Sequence, residues 1–435
     1  MLKNEVFLEK NKKRNIIIYF FYKLFSFDLL FYYATSFLYL NNYKGLSCAE
    51  IIFADSFFPF FKVLLQIPLT ILVEKHGKRT GIIIGCLSLV IYMILILGCN
   101  TMYILLIADF FMAIGFVEKS LCESNILYDS LPASKNKAKK FSKVEGKSSA
   151  LYYGFEAISC IISGILYTKN PSLPMILALI CTIISLVLAH LFIEVPEDIS
   201  NLNEDHYINR ANLRHYKRNL KNAFKFIFSS GRLKSLIFFN AFFMALIYLL
   251  LNYRRSLLSE IGLSPQNIGF FFAVFSLLSA VTSALSNKFN KKLKNKTLTY
   301  FGLYFTISII LSGLVVAVGL QKPVIIFTII ITFGIQYAIK GSYQTLIKQY
   351  QSSFSTSSMR LKILSASSIL EGIVTGFVSL IGAWFLTFTD TAQASIAIGT
   401  ASLLIVFLLI LYMYPRLGLE PQQYPKRDIE FKEVE

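Results

Sequence analysis

The chain alternates between apolar runs of about 20 residues and short polar segments, and that run length matches the roughly 30 Å of hydrocarbon that a transmembrane helix crosses. The runs lie near 15–40, 50–73, 80–98, 102–128, 148–168, 172–193, 235–252, 266–286, 298–320, 323–347, 361–387 and 392–413. Six precede a long polar stretch and six follow it. The pattern predicts an all-α membrane protein with twelve transmembrane helices in two six-helix bundles.

The polar segments divide the chain into four parts. We predict an N-terminal bundle over 1–194, a cytoplasmic linker over 195–234, a C-terminal bundle over 235–414 and a cytoplasmic tail over 415–435. The linker has apolar residues at helical spacing among basic ones, which predicts an amphipathic helix along the inner leaflet. A regulatory or nucleic-acid site in the linker is the less favoured alternative, because a joining loop on the inner face is basic in any case.

Composition and charge support the membrane assignment and set the orientation. Of 435 residues, 55% are hydrophobic and only 16% are charged, which is too apolar for a soluble surface of this size. The net charge is +18, but only five of the 43 lysines and arginines fall in predicted outer loops. Those five are Lys44, Lys169, Arg254, Arg255 and Lys322. Because short basic loops stay cytoplasmic, we expect both termini inside a bacterial plasma membrane and no nucleic-acid partner.

The second and third runs are joined by a tight charged turn within QIPLTILVEKHGKRTG, residues 66–81. Glu74, Lys75, Lys78 and Arg79 require contact with water, and Gly77 permits a sharp reversal of the backbone. The turn therefore lies at the membrane surface, on the inner side.

Three motifs carry a resemblance to a known family. Residues 66–79 are similar to a Glu-Ile-Pro-Thr-Gly, three apolar residues, Asp-Arg, one residue, Gly-Arg-Arg pattern, with Gln66 in place of the first acid. Residues 120–131, SLCESNILYDSL, resemble a Ser-Gly-x-x-x-Ala-Leu-Leu-Tyr-Asp-Ser-Leu pattern, and residues 360–365, RLKILS, resemble Arg-Ala-Thr-Val-Leu-Ser. The chain thus resembles the major facilitator superfamily, and within it bacterial permeases related to multidrug exporters.

The resemblance implies two halves that rock about a site at the membrane midplane. It also implies that the charged turn and nearby helix ends latch one conformational state through ion pairs that break when the halves move. The latch candidates are Glu74, Lys75, Gly77, Lys78, Arg79, Asp129 and Arg360. The alternative is that these charges only anchor loops in the lipid headgroups.

Charged residues inside apolar runs indicate a second kind of site, because an ionisable group in hydrocarbon is costly and usually faces a partner or a wet cavity. The proton- or substrate-coupling candidates are Asp28, Glu156, Glu371, Glu118, Lys62 and Lys119. A carboxylate there can take a proton at physiological pH unless a cation holds it ionised. The alternative is a fixed ion pair that only supports packing, such as Asp28 with Lys62 or Lys23.

Aromatic residues are abundant, with 40 Phe and 24 Tyr, and their faces attract cations and lipophilic solutes. The candidates for lining a cavity are Tyr22, Phe25, Tyr32, Tyr152, Tyr153 and Tyr337. The alternative for each is contact with lipid.

Other chemistries find no support in the sequence. The six cysteines and four histidines show no metal-ligand spacing, so we expect no metal, no cofactor and no enzymatic activity. We predict a monomeric secondary transporter that uses protons to export a drug-like, amphipathic or peptide-like small molecule by alternating access. The alternatives are an importer of a small nutrient and a transport-inactive membrane sensor or scaffold.

Overall fold

The computed structural model describes residues 2–132, 137–194, 213–293, 296–353 and 360–417. Within these ranges the chain forms α-helices and one π-helical turn, Tyr39–Tyr43, and has no β-strand. The helices are α1 (Leu2–Ser26), α2 (Ser36–Leu38), α3 (Cys48–Asp55), α4 (Phe57–His76), α5 (Lys78–Leu97), α6 (Met102–Ser130), α7 (Lys137–Lys169), α8 (Leu173–His190), α9 (Leu213–Ser229), α10 (Gly231–Glu260), α11 (Pro265–Leu293), α12 (Lys296–Ala317), α13 (Lys322–Ser353), α14 (Arg360–Phe385) and α15 (Thr391–Leu417).

Ten helical segments of this described part are long and apolar enough to cross a membrane, and each corresponds to a predicted run. The first and fourth predicted runs are not among the ten. Helix α1 begins in the Lys-rich arm, and α6 carries Asp109, Glu118, Lys119 and Glu123 along its length. The described part of the chain is therefore helical throughout apart from its turns, and the protein is a multi-pass membrane protein; the count of twelve spans in two bundles stays a prediction.

The first predicted span is not one continuous helix, so that part of the sequence prediction was wrong. Helix α1 ends at Ser26, and residues 27–35 form turns before the short α2. Phe31 has a φ of 63°, a left-handed conformation that is uncommon for a residue with a Cβ. Asp28, which we expected near the middle of a helix, lies at this break instead.

The seventh predicted span also extends further than expected. Helix α10 continues to Glu260 and carries Arg254 and Arg255 into the protein interior, where they are 0% and 8% exposed. The expectation that both arginines lie in an outer loop was wrong. Their place in a buried helix means that their charge must be balanced by the protein or by something that the protein binds.

The helices form two compact units. Unit 1 consists of Met1–Ser47, Phe57–His215 and Pro265–Ala273, and unit 2 consists of Cys48–Ser56, Tyr216–Ser264 and Val274–Glu435. Each half of the chain thus contributes one short segment to the unit that is built mainly from the other half. Helix α3 belongs to unit 2, and the first part of α11 belongs to unit 1.

Small residues allow α5 to pack closely against α6 in unit 1. A Cβ at Gly81 would lie 2.5 Å from Sγ of Cys122, and a Cβ at Gly115 would lie 2.6 Å from the side chain of Leu89. The core of unit 2 forms where α10, α12, α13 and α15 contribute large apolar side chains, which include Phe239, Phe243, Leu246, Phe305, Tyr343 and Val406. Both interiors contain large apolar clusters, and a charge buried among them is costly unless it is paired and hydrogen-bonded.

Candidate functional site

A cluster of buried charges lies where α1, α6 and α7 meet in unit 1. Nζ of Lys23 lies 2.7 Å from Oε2 of Glu123 and 3.6 Å from Oε1 of Glu145. Nζ of Lys119 lies 3.9 Å from Oε1 of Glu123. Lys119 and Glu123 are four residues apart and so share one face of α6, and α1 brings Lys23 to the same carboxylate.

Hydrogen bonds complete this cluster. The hydroxyl of Tyr22 donates to Oε1 of Glu123 at 2.8 Å, and the hydroxyl of Ser26 donates to the same oxygen at 3.3 Å. The hydroxyl of Tyr19 donates to Glu145, and Nζ of Lys119 donates to the carbonyl oxygen of Ser26. Because Lys23, Lys119 and Glu123 are 6% exposed or less, these bonds replace the water that each charge gives up on burial.

Glu118 lies on the neighbouring face of α6 and is bound differently. Its side chain is 0% exposed, its Oε1 has no hydrogen-bond partner in the described part of the chain, and its Oε2 has only Sγ of Cys122 at 3.9 Å. Gly81 and Gly85 of α5 make room for it, since a Cβ at Gly81 would lie 2.7 Å from Oε2. Glu118 is therefore an enclosed carboxyl group that forms no ion pair with the residues described here.

The break after α1 places Asp28 on irregular backbone. Oδ1 of Asp28 accepts hydrogen bonds from the backbone N–H of Leu29 at 2.9 Å and from the hydroxyl of Tyr33 at 2.7 Å. The hydroxyl of Ser163 on α7 donates to the carbonyl oxygen of Phe31 at 2.9 Å. Backbone groups released from a helix at membrane depth need such partners, and here α7 and a nearby carboxylate supply them.

Aromatic rings connect this break to the charge cluster. The ring of Phe27 stacks on Tyr152 at 4.6 Å between centroids and contacts Tyr153 at 5.3 Å. On the other side, Nζ of Lys23 lies 4.9 Å from the centroid of Phe27. Glu156 follows Tyr152 by one turn of α7, so an acidic residue on each of two elements flanks the rings.

The charged turn that joins α4 and α5 forms its contacts within unit 1. Nζ of Lys78 pairs with Oδ2 of Asp129 at 2.5 Å. Glu194 accepts hydrogen bonds from the backbone N–H groups of Lys78 at 2.9 Å and Arg79 at 2.7 Å, and so caps the N-terminus of α5. Two features of the turn favour glycine at position 77. Gly77 has a φ of 89°, and a Cβ there would lie 3.1 Å from the Glu194 carboxyl group.

The structure separates the predicted site residues into several places. Tyr22, Lys119 and Glu118 lie in or beside the charge cluster, and Asp28, Tyr152, Tyr153 and Glu156 lie near the break in α1. Tyr32 accepts a hydrogen bond from the hydroxyl of Tyr92 at 2.5 Å, and Phe25 packs beside the small core around Leu30 and Cys181. Lys62 is exposed, with Nζ 5.5 Å from the ring centroid of Phe58, and is not part of the charge cluster.

Unit 2 holds two of the remaining candidates. Oε2 of Glu371 accepts a hydrogen bond from the amide of Asn240 at 3.2 Å, and Asn240 in turn accepts one from Tyr343 at 3.0 Å. The ring of Tyr337 stacks on Phe275 at 5.4 Å. Lys75 is exposed, whereas the side chains of Glu74 and Arg360 lie outside the described residues.

Sequence reasoning missed four members of the cluster as site residues, namely Tyr19, Lys23, Glu123 and Glu145. The usable signal was Lys119 and Glu123 at a spacing of four in an otherwise apolar helix, which places two opposite charges on one face. Glu145 gave no such signal, because it precedes the apolar run of α7. Sequence reasoning also missed Glu194, an acid that lies far from α5 in the chain.

Comparisons with known proteins agree with this architecture. A family model described as Major Facilitator Superfamily matches residues 16–352. YxaM of Bacillus subtilis, described as an uncharacterized MFS-type transporter, is 26% identical over 248 residues, which cover 55% of this chain and only 59% of YxaM.

Solved structures with a similar fold include three transporters. The nucleoside transporter NupG superposes with a TM-score of 0.70 at 11% identity, over 92% of this chain and 98% of that one. A POT family transporter in complex with 5-aminolevulinic acid gives 0.67 at 14% identity, over 93% and 97%. A D-xylose-proton symporter gives 0.66 at 12% identity, over 93% and 98%.

Proposed function

Since the chain belongs to the major facilitator superfamily and is a membrane transporter rather than an enzyme, we propose that it couples proton flow to export of a small molecule. The substrate is drug-like, amphipathic or peptide-like and crosses by alternating access. Both termini lie in the cytoplasm, which the concentration of basic residues in the predicted inner segments supports. The protein works as a monomer in the plasma membrane of a bacterium.

The charge cluster of unit 1 is the observation that carries proton coupling. Each buried ion costs several kcal/mol of desolvation, and well-packed apolar side chains would hold three helices together at no such cost. Two lysines and two glutamates in ion-pair contact, with Glu118 enclosed beside them, therefore favour a functional role. Ionisable side chains buried within membrane helices commonly mark ion or substrate pathways.

The cluster supports a simple sequence of proton events. Glu118 forms no ion pair in the described part of the chain, and it is the group to which we assign uptake and release of the proton. Glu123 binds Lys23 of α1 and Lys119 of its own helix, and a proton that arrives on Glu123 weakens both contacts, leaving Lys23 with Glu145 and Lys119 with the carbonyl oxygen of Ser26. The contact that Glu123 makes between α6 and α1 then weakens. Protonation is thereby converted into a movement of helices.

Asp28 and its surroundings supply the substrate-facing part of this mechanism. The rings of Phe27, Tyr152 and Tyr153 and the carboxylates of Asp28 and Glu156 suit a solute with an apolar body and a polar or positively charged group. At the inner end, the Lys78–Asp129 pair and the Glu194 cap hold the turn between α4 and α5 in one arrangement. Opening that arrangement accompanies the change of state.

The direct test uses purified protein in liposomes that contain a pH-sensitive dye, with a panel of lipophilic dyes and peptides outside. Wild type is expected to move protons only when substrate is present, and Glu118→Gln is expected to lose proton movement but keep its fold. Glu50→Gln is the matched control, since it makes the same change of a carboxylate to an amide at an exposed position of α3, in unit 2. Proton movement by Glu118→Gln equal to wild type would remove Glu118 from the mechanism.

Import of a nutrient is the second candidate, because a D-xylose-proton symporter and a nucleoside transporter have similar folds. Transport in cells with and without a protonophore decides between the directions. An exporter lowers the cellular dye content and loses this effect when the proton gradient collapses. An importer accumulates its substrate, and this accumulation stops when the proton gradient collapses. If no compound moves in either direction, the result favours a sensor.

A further inference from the structure

Arg254 of α10 is enclosed in unit 2, and no described residue forms an ion pair with it. Its side chain is 0% exposed, and Nη1 donates a hydrogen bond to Oε1 of Gln336 at 3.0 Å. Nε and Nη2 have no acceptor among the described residues, and no carboxylate there forms an ion pair with the guanidinium. A buried arginine is normally held by a carboxylate or by several carbonyl oxygens, so these two donors are unusual.

Gln336 of α13 adds a third unused donor. Because its Oε1 accepts from Arg254, the amide is oriented with Nε2 as the remaining donor, and the reverse orientation would place two donors against each other. Nε2 is buried and also has no acceptor in the part of the chain that the structure describes. The unsatisfied groups around Arg254 are thus N–H groups, and an acceptor with more than one oxygen would satisfy them together.

The surroundings of these donors are aromatic and positively charged. The guanidinium carbon of Arg254 lies 4.6 Å from the ring centroid of Tyr337, and that ring stacks on Phe275 at 5.4 Å. Nζ of Lys340 lies 5.5 Å from the same centroid. An arginine fork matches a carboxylate in shape, and the aromatic side chains beside it suit the apolar part of the same molecule.

We propose that Arg254 and Gln336 bind the carboxylate of a small organic anion, with Tyr337 and Phe275 against its apolar body. The carboxylate accepts hydrogen bonds from Nε and Nη2 of Arg254 and from Nε2 of Gln336. That this anion is the transported solute rests on the proposed function; that it binds does not. Because the guanidinium is fully enclosed here, the anion enters when side chains of α10 and α13 move apart, and its association is slow.

Three probes of similar size test the proposal with the purified full chain in detergent: benzoate, benzamide and benzylammonium. Thermal unfolding is followed by the fluorescence of Trp384. Benzoate is expected to raise the midpoint in a concentration-dependent manner, and the neutral and cationic probes are expected to leave it unchanged. Arg254→Gln should weaken the benzoate response about tenfold or more, because the carboxylate loses its charged donors.

Arg416→Gln is the matched control, because Arg416 also lies in unit 2 with its guanidinium over a tyrosine, 4.0 Å from the centroid of Tyr412. It should respond to benzoate as wild type does. Gln336→Glu covers the case in which Arg254→Gln does not fold. It places a carboxylate beside Arg254, and we expect a higher midpoint without ligand and no benzoate response.

Three results would overturn the proposal. They are an unchanged benzoate response in Arg254→Gln, an unchanged response in Gln336→Glu, or a wild type that responds equally to benzoate and benzamide or to neither. Each concerns the binding of benzoate alone, so none of them decides whether protons move with dyes or peptides in the liposome assay. Conversely, a protein that binds benzoate through Arg254 but moves no substrate would refute transport and keep the site.

Discussion

The ion pair of Lys23 with Glu123 gives the sharpest test of the charge cluster. Glu123→Gln keeps the shape of the side chain but leaves the ammonium group of Lys23 without its partner at 2.7 Å. Removing one member of a buried pair typically costs 3–5 kcal/mol, and Glu145 at 3.6 Å still offers Lys23 a carboxylate. We therefore expect the lower end, about 3 kcal/mol.

The assay is thermal unfolding in detergent of wild type, Glu123→Gln, Lys23→Met and the double variant. A loss of about 3 kcal/mol lowers the midpoint by roughly 6–12 °C for a cooperative unit of about 200 residues. The double variant should be more stable than the sum of the single changes predicts, by about 1–3 kcal/mol, because it removes both charges together. Additive effects within about 0.5 kcal/mol would show that the pair does not stabilise unit 1 as described.

The other predictions concern packing and capping in unit 1. Gly81→Ala places a methyl group 2.5 Å from Sγ of Cys122 and should lower the free energy of unfolding by about 1–3 kcal/mol. Gly154→Ala is the control, because a Cβ there meets no atom within 4 Å, and it should be neutral or stabilising. Equal effects of the two changes on thermal unfolding would contradict the close packing of α5 on α6. Glu194→Ala removes the cap of α5 and should lower the free energy of unfolding by about 0.5–2 kcal/mol. Glu194→Gln keeps an acceptor and should lower it less. Unchanged stability of both variants would argue against capping. Gly77→Ala meets both a φ of 89° and the Glu194 carboxyl group and should lower the unfolding midpoint, which a melt at or above that of wild type would refute.

Much of the fold follows from local pattern. The lengths of the apolar runs predict ten of the membrane helices. Backbone N–H and C=O groups in hydrocarbon have no water to bind, and a helix satisfies them with its own hydrogen bonds. The motifs around Gly77 and Asp129 lie at helix ends in the structure, and they identified the family correctly.

The break after Ser26 could not be predicted in this way. Residues 19–38 contain neither glycine nor proline, so no local signal interrupts the helix. The turn exists because Asp28 binds its own local backbone and because serines of α7, more than 120 positions later, satisfy Phe31. Such partners are assigned by tertiary packing, which one sequence does not show.

The membership of the charge cluster was hidden for the same reason. Lys23 and Glu123 are 100 positions apart, and the sequence around one does not indicate that the other is its partner. Arg254 misled the prediction in the opposite direction, because a basic residue after an apolar run normally marks the membrane surface. Here Gln336 and Tyr337 surround it instead, and only the packing of α10 on α13 reveals this.

The assignment of α3 to unit 2, and of residues 265–273 to unit 1, limits how this gene can be divided. A fragment that stops in the linker would carry α3 without the helices that bury Ile52, and the complementary fragment would carry the start of α11 without Gly164, whose backbone it touches. Neither fragment would be a self-sufficient folding domain. We expect the two fragments to be recovered from cells only when they are synthesised together, because each then supplies the short segment that the other unit needs.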